Sequence, residues 1–163
     1  MSGTKTLTEL FDTLPQVGKV EWIAVRPQRR MPLNVLDSVT ADTKTGLIGD
    51  RYSGINGRRQ VTLIQYEHLS VVASVLNLDA LDPALLRRNI AVSGLNLLAL
   101  KGKQFVIGGA ILEHTGPCHP CSFMEQVLGA GGYNAVRGHG GITARVVDSG
   151  LICVGDAVAN KLS

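Results

Sequence analysis

Nineteen glycines are spread along 163 residues, about 12% against an average near 7%, and they cut the chain into short segments instead of gathering in one linker. Between them lie brief runs rich in β-branched residues, at 19–25, 33–39, 59–65, 89–92, 104–107, 110–113, 143–147 and 151–154. Runs this short, bounded by glycine or proline, predict strands. Gly108-Gly109 and Asp148-Ser149-Gly150 each leave only the few residues that a hairpin loop allows, which predicts two antiparallel pairs. Helical spacing is confined to 66–76, where Leu69, Val72, Ala73 and Leu76 recur at three and four, to 82–88, which opens Asp-Pro, and to a short stretch after Cys121. A weaker apolar pattern, Leu7, Leu10, Phe11 and Leu14, predicts one more short helix ended by Pro15. Many short strands and few, short helices predict a mainly β fold, an antiparallel β-barrel. Residues 1–16 are expected to be an N-terminal extension and 17–163 the barrel domain.

Composition narrows the classes of partner. The chain is 45% hydrophobic and 18% charged, with slightly positive mean hydropathy, so its bulk is expected to fold compactly. No apolar run approaches the roughly 20 residues of a membrane helix, and Lys5 and polar residues occupy the place of a secretory core. A cytoplasmic location without membrane contact is expected. Net charge of +3 and seven scattered aromatics give no basis for nucleic-acid binding. Three cysteines in such a chain point to free thiols.

The most chemically loaded stretch is 114–125, His-Thr-Gly-Pro-Cys-His-Pro-Cys-Ser-Phe-Met-Glu. Ser122 and Glu125 stand in a capping-box relation, with Ser122 as the expected N-cap. Cys121 then lies just outside a helix N-terminus, where unpaired amides and the macrodipole favour a thiolate. Such a sulfur is reactive or metal-binding; the alternative is a small buried hydrophobe. Cys118 and Cys121 with His114 and His119 offer half of a zinc site, and no second paired segment supplies the rest. A thioredoxin-like pair is weaker, since no βαβ unit precedes it. Cys153, alone in a strand, reads as structural.

Two glycine-rich segments complete the inventory. Residues 46–54 carry Asp50 and Arg51 in a turn that is neither a Walker loop nor a dinucleotide fingerprint. Residues 129–141 place six glycines around Tyr133, Asn134, Arg137 and His139, with Arg145 on the following strand. This predicts a long polar loop whose arginines can clamp an oxyanion. A lone histidine such as His139 can equally do no more than satisfy a turn. Paired arginines recur at 29–30, 58–59 and 87–88, and about two of the three pairs are expected to be solvated faces.

Taken together, Gly46 to Tyr52, Arg59 to Ile64, Arg88-Asn89-Ile90, Ser93 to Asn96, the strand 102–107, Pro120-Cys121, Gly141 to Arg145 and Gly155-Asp156 resemble the MOSC domain, named after the C-terminal domain of molybdenum cofactor sulfurase. The resemblance covers about 18–158 and implies a mostly antiparallel barrel that binds a molybdenum cofactor. It implies Cys121 as the residue that carries sulfur or ligates the metal, and Cys118, a second thiol, is placed with it in the catalytic set. Arg51, Arg88, Asn89, Arg145 and His139 are the cofactor-binding candidates, the arginines suiting a phosphate. Cys118 stands where related reductases carry an arginine, a departure that supplies a thiol able to resolve a persulfide.

The expected function is a small molybdenum-cofactor-dependent reductase of N-hydroxylated compounds, fed by a separate electron-donor protein. The alternative is a persulfide carrier supplied by a sulfur-donor desulfurase. Pyridoxal phosphate enters only by association, through a desulfurase domain that this chain lacks.

Overall fold

The computed structural model describes residues 3–51 and 56–162. The Tyr52 to Gly54 part of the 46–54 segment lies outside the described residues. Among these residues eleven strands, four α-helices and two 3-10 turns succeed one another. The N-terminal helix α1 spans Leu7–Asp12 behind a Thr6–Glu9 capping box, a start signal that the weak apolar pattern conceals. Its residues are all exposed, and it is tied to the body by Lys103 Nζ, 2.6 Å from the Asp12 carboxylate.

The barrel uses β1 (Gly18–Val25), β5 (Val61–Gln65), β6 (Ile90–Ser93), β7 (Gln104–Ile107), β8 (Ala110–Pro117), β9 (Ile142–Asp148) and β11 (Ala157–Asn160). Their order is β11-β7-β8-β9-β5-β6-β1, and β1 pairs β11 to close the ring. Every pairing in the ring is antiparallel except β5 with β6. That parallel step is bridged by helix α2 (Tyr66–Val75), which lays Leu69, Val72 and Ala73 against the barrel's outside. Inward-facing residues such as Val20, Leu63, Phe105, Leu112 and Ala144 form the main core. Closure removes the open edges that a sheet of short strands would otherwise expose.

The expected strands are present, with three differences. The 33–39 run breaks into β2 (Asn34–Leu36), an edge strand on β1, and β3 (Ser38–Asp42). Gly108-Gly109 makes the expected β7–β8 hairpin, whereas Asp148 to Gly150 does not make a β9–β10 hairpin. There the chain leaves the barrel, and β10 (Gly150–Cys153) pairs β3 in a small sheet completed by β4 (Gly46–Leu47). Gly150 permits this departure because a Cβ there would overlap the Gly109 backbone. Third, the expected 129–141 loop holds a helix, α4 (Gly132–Val136), packed beside α3 (Ser122–Leu128). None of the described helices is long and apolar enough to cross a membrane.

Candidate functional site

Four separate segments deliver arginine to one cavity of about 290 Å3. Arg26, Arg29 and Arg30 come from the end of β1 and the turn after it, Arg51 from the segment after β4, Arg59 from the entry to β5, and Arg87 and Arg88 from the exit of the Pro83–Leu86 3-10 turn. Opposite them lie His119, Cys121, Ser122, Phe123 and Met124, and no carboxylate lines the space among the described residues. Cys121 is exposed, while Cys118 is buried behind it.

The local backbone explains how adjacent arginines reach different tasks. Arg87 caps the 3-10 turn in the left-handed region, φ 57°, so that it and Arg88 diverge. Arg87 reaches out to donate to the carbonyls of Met31 (2.7 Å) and Gln28 (3.4 Å). It thereby fixes the turn that carries Arg29 and Arg30. Arg30 and Arg87 both lie over Phe123, at 5.0 and 6.0 Å from the ring centroid, where the ring face attracts cations.

Arg88 turns inward. Its Nε donates to Gly140 O and its Nη1 to Leu86 O, both at 2.8 Å, and Nη2 reaches the Cys118 and His119 carbonyls at 3.4 Å. One guanidinium therefore holds the segment leading to Cys121 against the 140 strand entry. Gly140 and Gly141 make that approach feasible, since a Cβ at either would overlap the carbonyl of Cys118 or Leu63. Cys118 N–H closes the contact on Gly141 O at 2.9 Å.

Cys121 is itself the N-cap of α3, with extended backbone and no side-chain capping bond. The capping box expected from Ser122 and Glu125 is not formed. Glu125 instead accepts the N–H groups of Gly131 and Tyr133, both at 2.9 Å, stitching α3 to α4. Those two backbone bonds, Tyr133 first, hold its carboxyl below the usual glutamate value. Ser122 is consequently free at the cavity wall.

Electrostatic crowding is severe. Asp50 is the one counter-charge paired with any of these arginines among the described residues: its side chain is fully buried and binds Arg26 through Nε at 3.2 Å and Nη2 at 3.0 Å. Burial, then Arg26 and Arg51, push the Arg87 guanidinium below the usual arginine range, opposed by Asp50 and then by Cys121. Burial does the same to Arg88, opposed by Cys118 and Cys121. The remaining arginines face one another across solvent, an arrangement suited to an anion with several oxygens.

Of the residues singled out from sequence, Arg51, Arg88 and Cys121 share this cavity. Asn89 stands behind it: its Oδ1 accepts Thr62 N–H at 3.0 Å while its Nδ2 donates to Ala24 O and to Asp50 Oδ1. It orients Asp50, and Asp50 orients Arg26. Arg145 lies elsewhere on β9, ion-paired with Glu113 of β8. His139 packs edge-on to His68 at 4.9 Å, its buried Nδ1 without a partner. Burial, and then His139, hold His68 below the ordinary histidine value. His114 lines a different cavity with Leu98, Lys101 and Pro117. The proposed half-site of His114, Cys118, His119 and Cys121 is therefore not assembled, and no three His, Cys, Asp or Glu side chains come close enough together to hold a metal ion among the described residues.

Sequence reasoning missed Arg26, Arg29, Arg30, Arg59 and Arg87. Two of the three arginine pairs, 29–30 and 58–59, are exposed as expected, and Arg87 and Arg88 are not; what the solvated-face reading leaves out is that every pair also sends at least one member to the cavity wall. The available signal was the repetition of pairs without neighbouring acids.

The MOSC domain profile matches residues 42–159, most of the chain. The chain belongs to the MOSC domain family. No curated protein matches its sequence. Among solved structures, the YuaD protein of Bacillus subtilis superposes with a TM-score of 0.78 at 21% identity, over 93% of this chain and 100% of that one. YiiM of Geobacillus stearothermophilus gives 0.67 at 17%, over 89% and 75%. YiiM of Escherichia coli gives 0.68 at 17%, over 89% and 70%. At such identities the likeness establishes the barrel. MOSC domains are associated with a molybdenum cofactor, and the residues of the cavity fit one. Several guanidiniums suit a phosphate, and an exposed cysteine sulfur beside them is a soft ligand for a sulfur-bound metal.

Proposed function

We propose that this MOSC protein holds a molybdenum cofactor in the arginine cavity and acts as a small reductase of N-hydroxylated compounds. The observation that carries the reading is the convergence of seven arginines on one exposed cysteine, with a single buried carboxylate as their paired counter-charge. When bound, the cofactor would supply two-electron redox chemistry at a metal able to accept an oxygen atom.

Everything else falls to the chain. Cys121 ligates the metal from the start of α3. Arg51, Arg59 and Arg29 bind the phosphate end, where exposed, adjustable guanidiniums can form bidentate bonds. Arg88 supports the segment before Cys121 by bonding Gly140 O, next to the Gly141 carbonyl that accepts the Cys118 N–H, and the Asn89–Asp50–Arg26 relay sets the cavity's inner wall. His119 and Ser122, both exposed at the wall, can exchange a proton or a hydrogen bond with substrate. Electrons come from a separate donor protein.

The test is anaerobic oxidation of reduced methyl viologen by benzamidoxime, using protein purified from a host that makes the cofactor. Turnover by the wild type and a loss of about 100-fold or more in Cys121→Ser support the reading; equal rates in both proteins contradict it.

A second reading rests on a different observation, the buried Cys118 that shares Arg88 with the exposed Cys121. As a carrier, Cys121 would take sulfane sulfur from a donor desulfurase, and Cys118 would release it by forming a disulfide as the outer sulfur leaves reduced. A mass gain of one sulfur atom on Cys121, removed by dithiothreitol in protein free of molybdenum, distinguishes this reading.

A further inference from the structure

A second cavity, of about 590 Å3, lies away from the arginines beside helix α2. Its walls include the half-buried indole of Trp22 and the exposed ring of Tyr66, and Leu69 and Leu81 supply an apolar floor. Among the described residues Glu21, Glu67 and Asp79 are its charged lining, and neither lysine nor arginine lines it. Its volume falls in the range of small-molecule sites.

Two of these carboxylates are held in place. Glu67 accepts the Gly94 N–H at 2.9 Å and the Gln65 amide at 3.0 Å. Burial pushes Glu67 up, but those two bonds, together with its own backbone N–H and the nearby His68, hold the carboxyl below its usual value. Glu21 accepts the Ser93 hydroxyl at 3.0 Å, and Lys19 stands 3.7 Å off on the solvent side. Asp79 has no hydrogen-bond or ion-pair partner among the described residues and remains available to a ligand. Aromatic faces attract cations through their quadrupole, and fixed carboxylates add a Coulomb preference of the same sign.

We infer that this cavity is a binding site for a small organic cation with an apolar body, such as an aryl-alkyl ammonium, separate from the arginine cavity. The apolar part would rest on Leu69, Leu81 and the Trp22 ring, with the ammonium directed at Asp79 and Glu67. The two cavities thus select ligands of opposite charge.

Trp22 is the chain's single tryptophan, so its emission reports on this cavity alone. The experiment is titration of the full chain with benzylammonium and, separately, with its neutral isostere benzyl alcohol, following Trp22 emission with calorimetry in parallel. The expected result is saturable binding of benzylammonium roughly tenfold tighter than benzyl alcohol, weakened about threefold by Asp79→Asn. Glu67→Gln is expected to act in the same direction. If that variant melts early, exposed Asp79 decides the matter. Absence of saturable binding by both methods, equal affinity for the two compounds, or an unchanged affinity in Asp79→Asn would overturn the inference.

Discussion

Replacing Arg88 with methionine removes a buried cation that clamps three backbone segments while keeping a long apolar side chain in its place. Arg88 is 7% exposed, and its two 2.8 Å bonds, to Gly140 O and Leu86 O, are charge-assisted bonds to protein carbonyls. Each is worth about 1.5–3 kcal/mol, whereas the two 3.4 Å contacts add little. Against that sum stands relief of the burial cost that holds Arg88 below the usual arginine range. The net loss comes to about 3 kcal/mol, near the lower end for breaking a buried ionic network. For a chain of this size the expected fall in Tm is about 6–12 °C. Arg88→Lys, whose single ammonium cannot span the Leu86, Gly140 and Cys118 carbonyls together, should recover less than half of it. Thermal denaturation followed by circular dichroism is the assay. A methionine variant melting within about 1 °C of wild type would refute the clamp on Gly140 O and Leu86 O.

Two other predictions address the site and its support. Pyrophosphate at about ten times its Kd should raise the wild-type Tm by about 3–6 °C through preferential binding to the folded state, and the double variant Arg51→Ala, Arg59→Ala should lose that gain while keeping its Tm without ligand. Differential scanning fluorimetry reads both. Glu125 has a depressed carboxyl pKa because it accepts Tyr133 and Gly131 N–H groups, so its stabilisation is present above the usual glutamate value and is lost as pH falls through its own. The gap in urea midpoint between wild type and Glu125→Gln should therefore be constant above about pH 5 and close below about pH 4.5.

Much of the barrel is legible in the sequence because most of its strands are local β-branched runs ended by glycine or proline; β11, which closes the ring, is not, since Ala-Val-Ala-Asn carries a single β-branched residue. Strand 104–107 and the helix after Gln65 need no distant information. The 148–150 turn misleads because a short polar gap marks a chain reversal but not the partner, and the partner of β10 is β3, more than a hundred residues back. Helix α4 is concealed by its own glycines. Gly132 must be small since a Cβ would lie 2.6 Å from Leu128 Cβ and 2.9 Å from Met124 O, so packing rather than looseness places it there. Cys121 stands out for its proline-flanked cysteine and histidine neighbours. The arginine cavity does not, because Arg26, Arg51, Arg59 and Arg87 meet only through the closure of the barrel. Asn89, legible as part of a motif, acts on Asp50 from behind the cavity.

The central claim is that Cys121 and the arginines hold a molybdenum cofactor together. Its most direct test is the molybdenum and pterin content per chain, with zinc measured alongside, in wild type, Cys121→Ser and the Arg51→Ala, Arg59→Ala variant purified from a cofactor-producing host. The account predicts molybdenum and pterin near one per chain in the wild type and a marked loss of both in each variant. Wild-type protein carrying zinc and no molybdenum, or Cys121→Ser retaining the full molybdenum content, would contradict it.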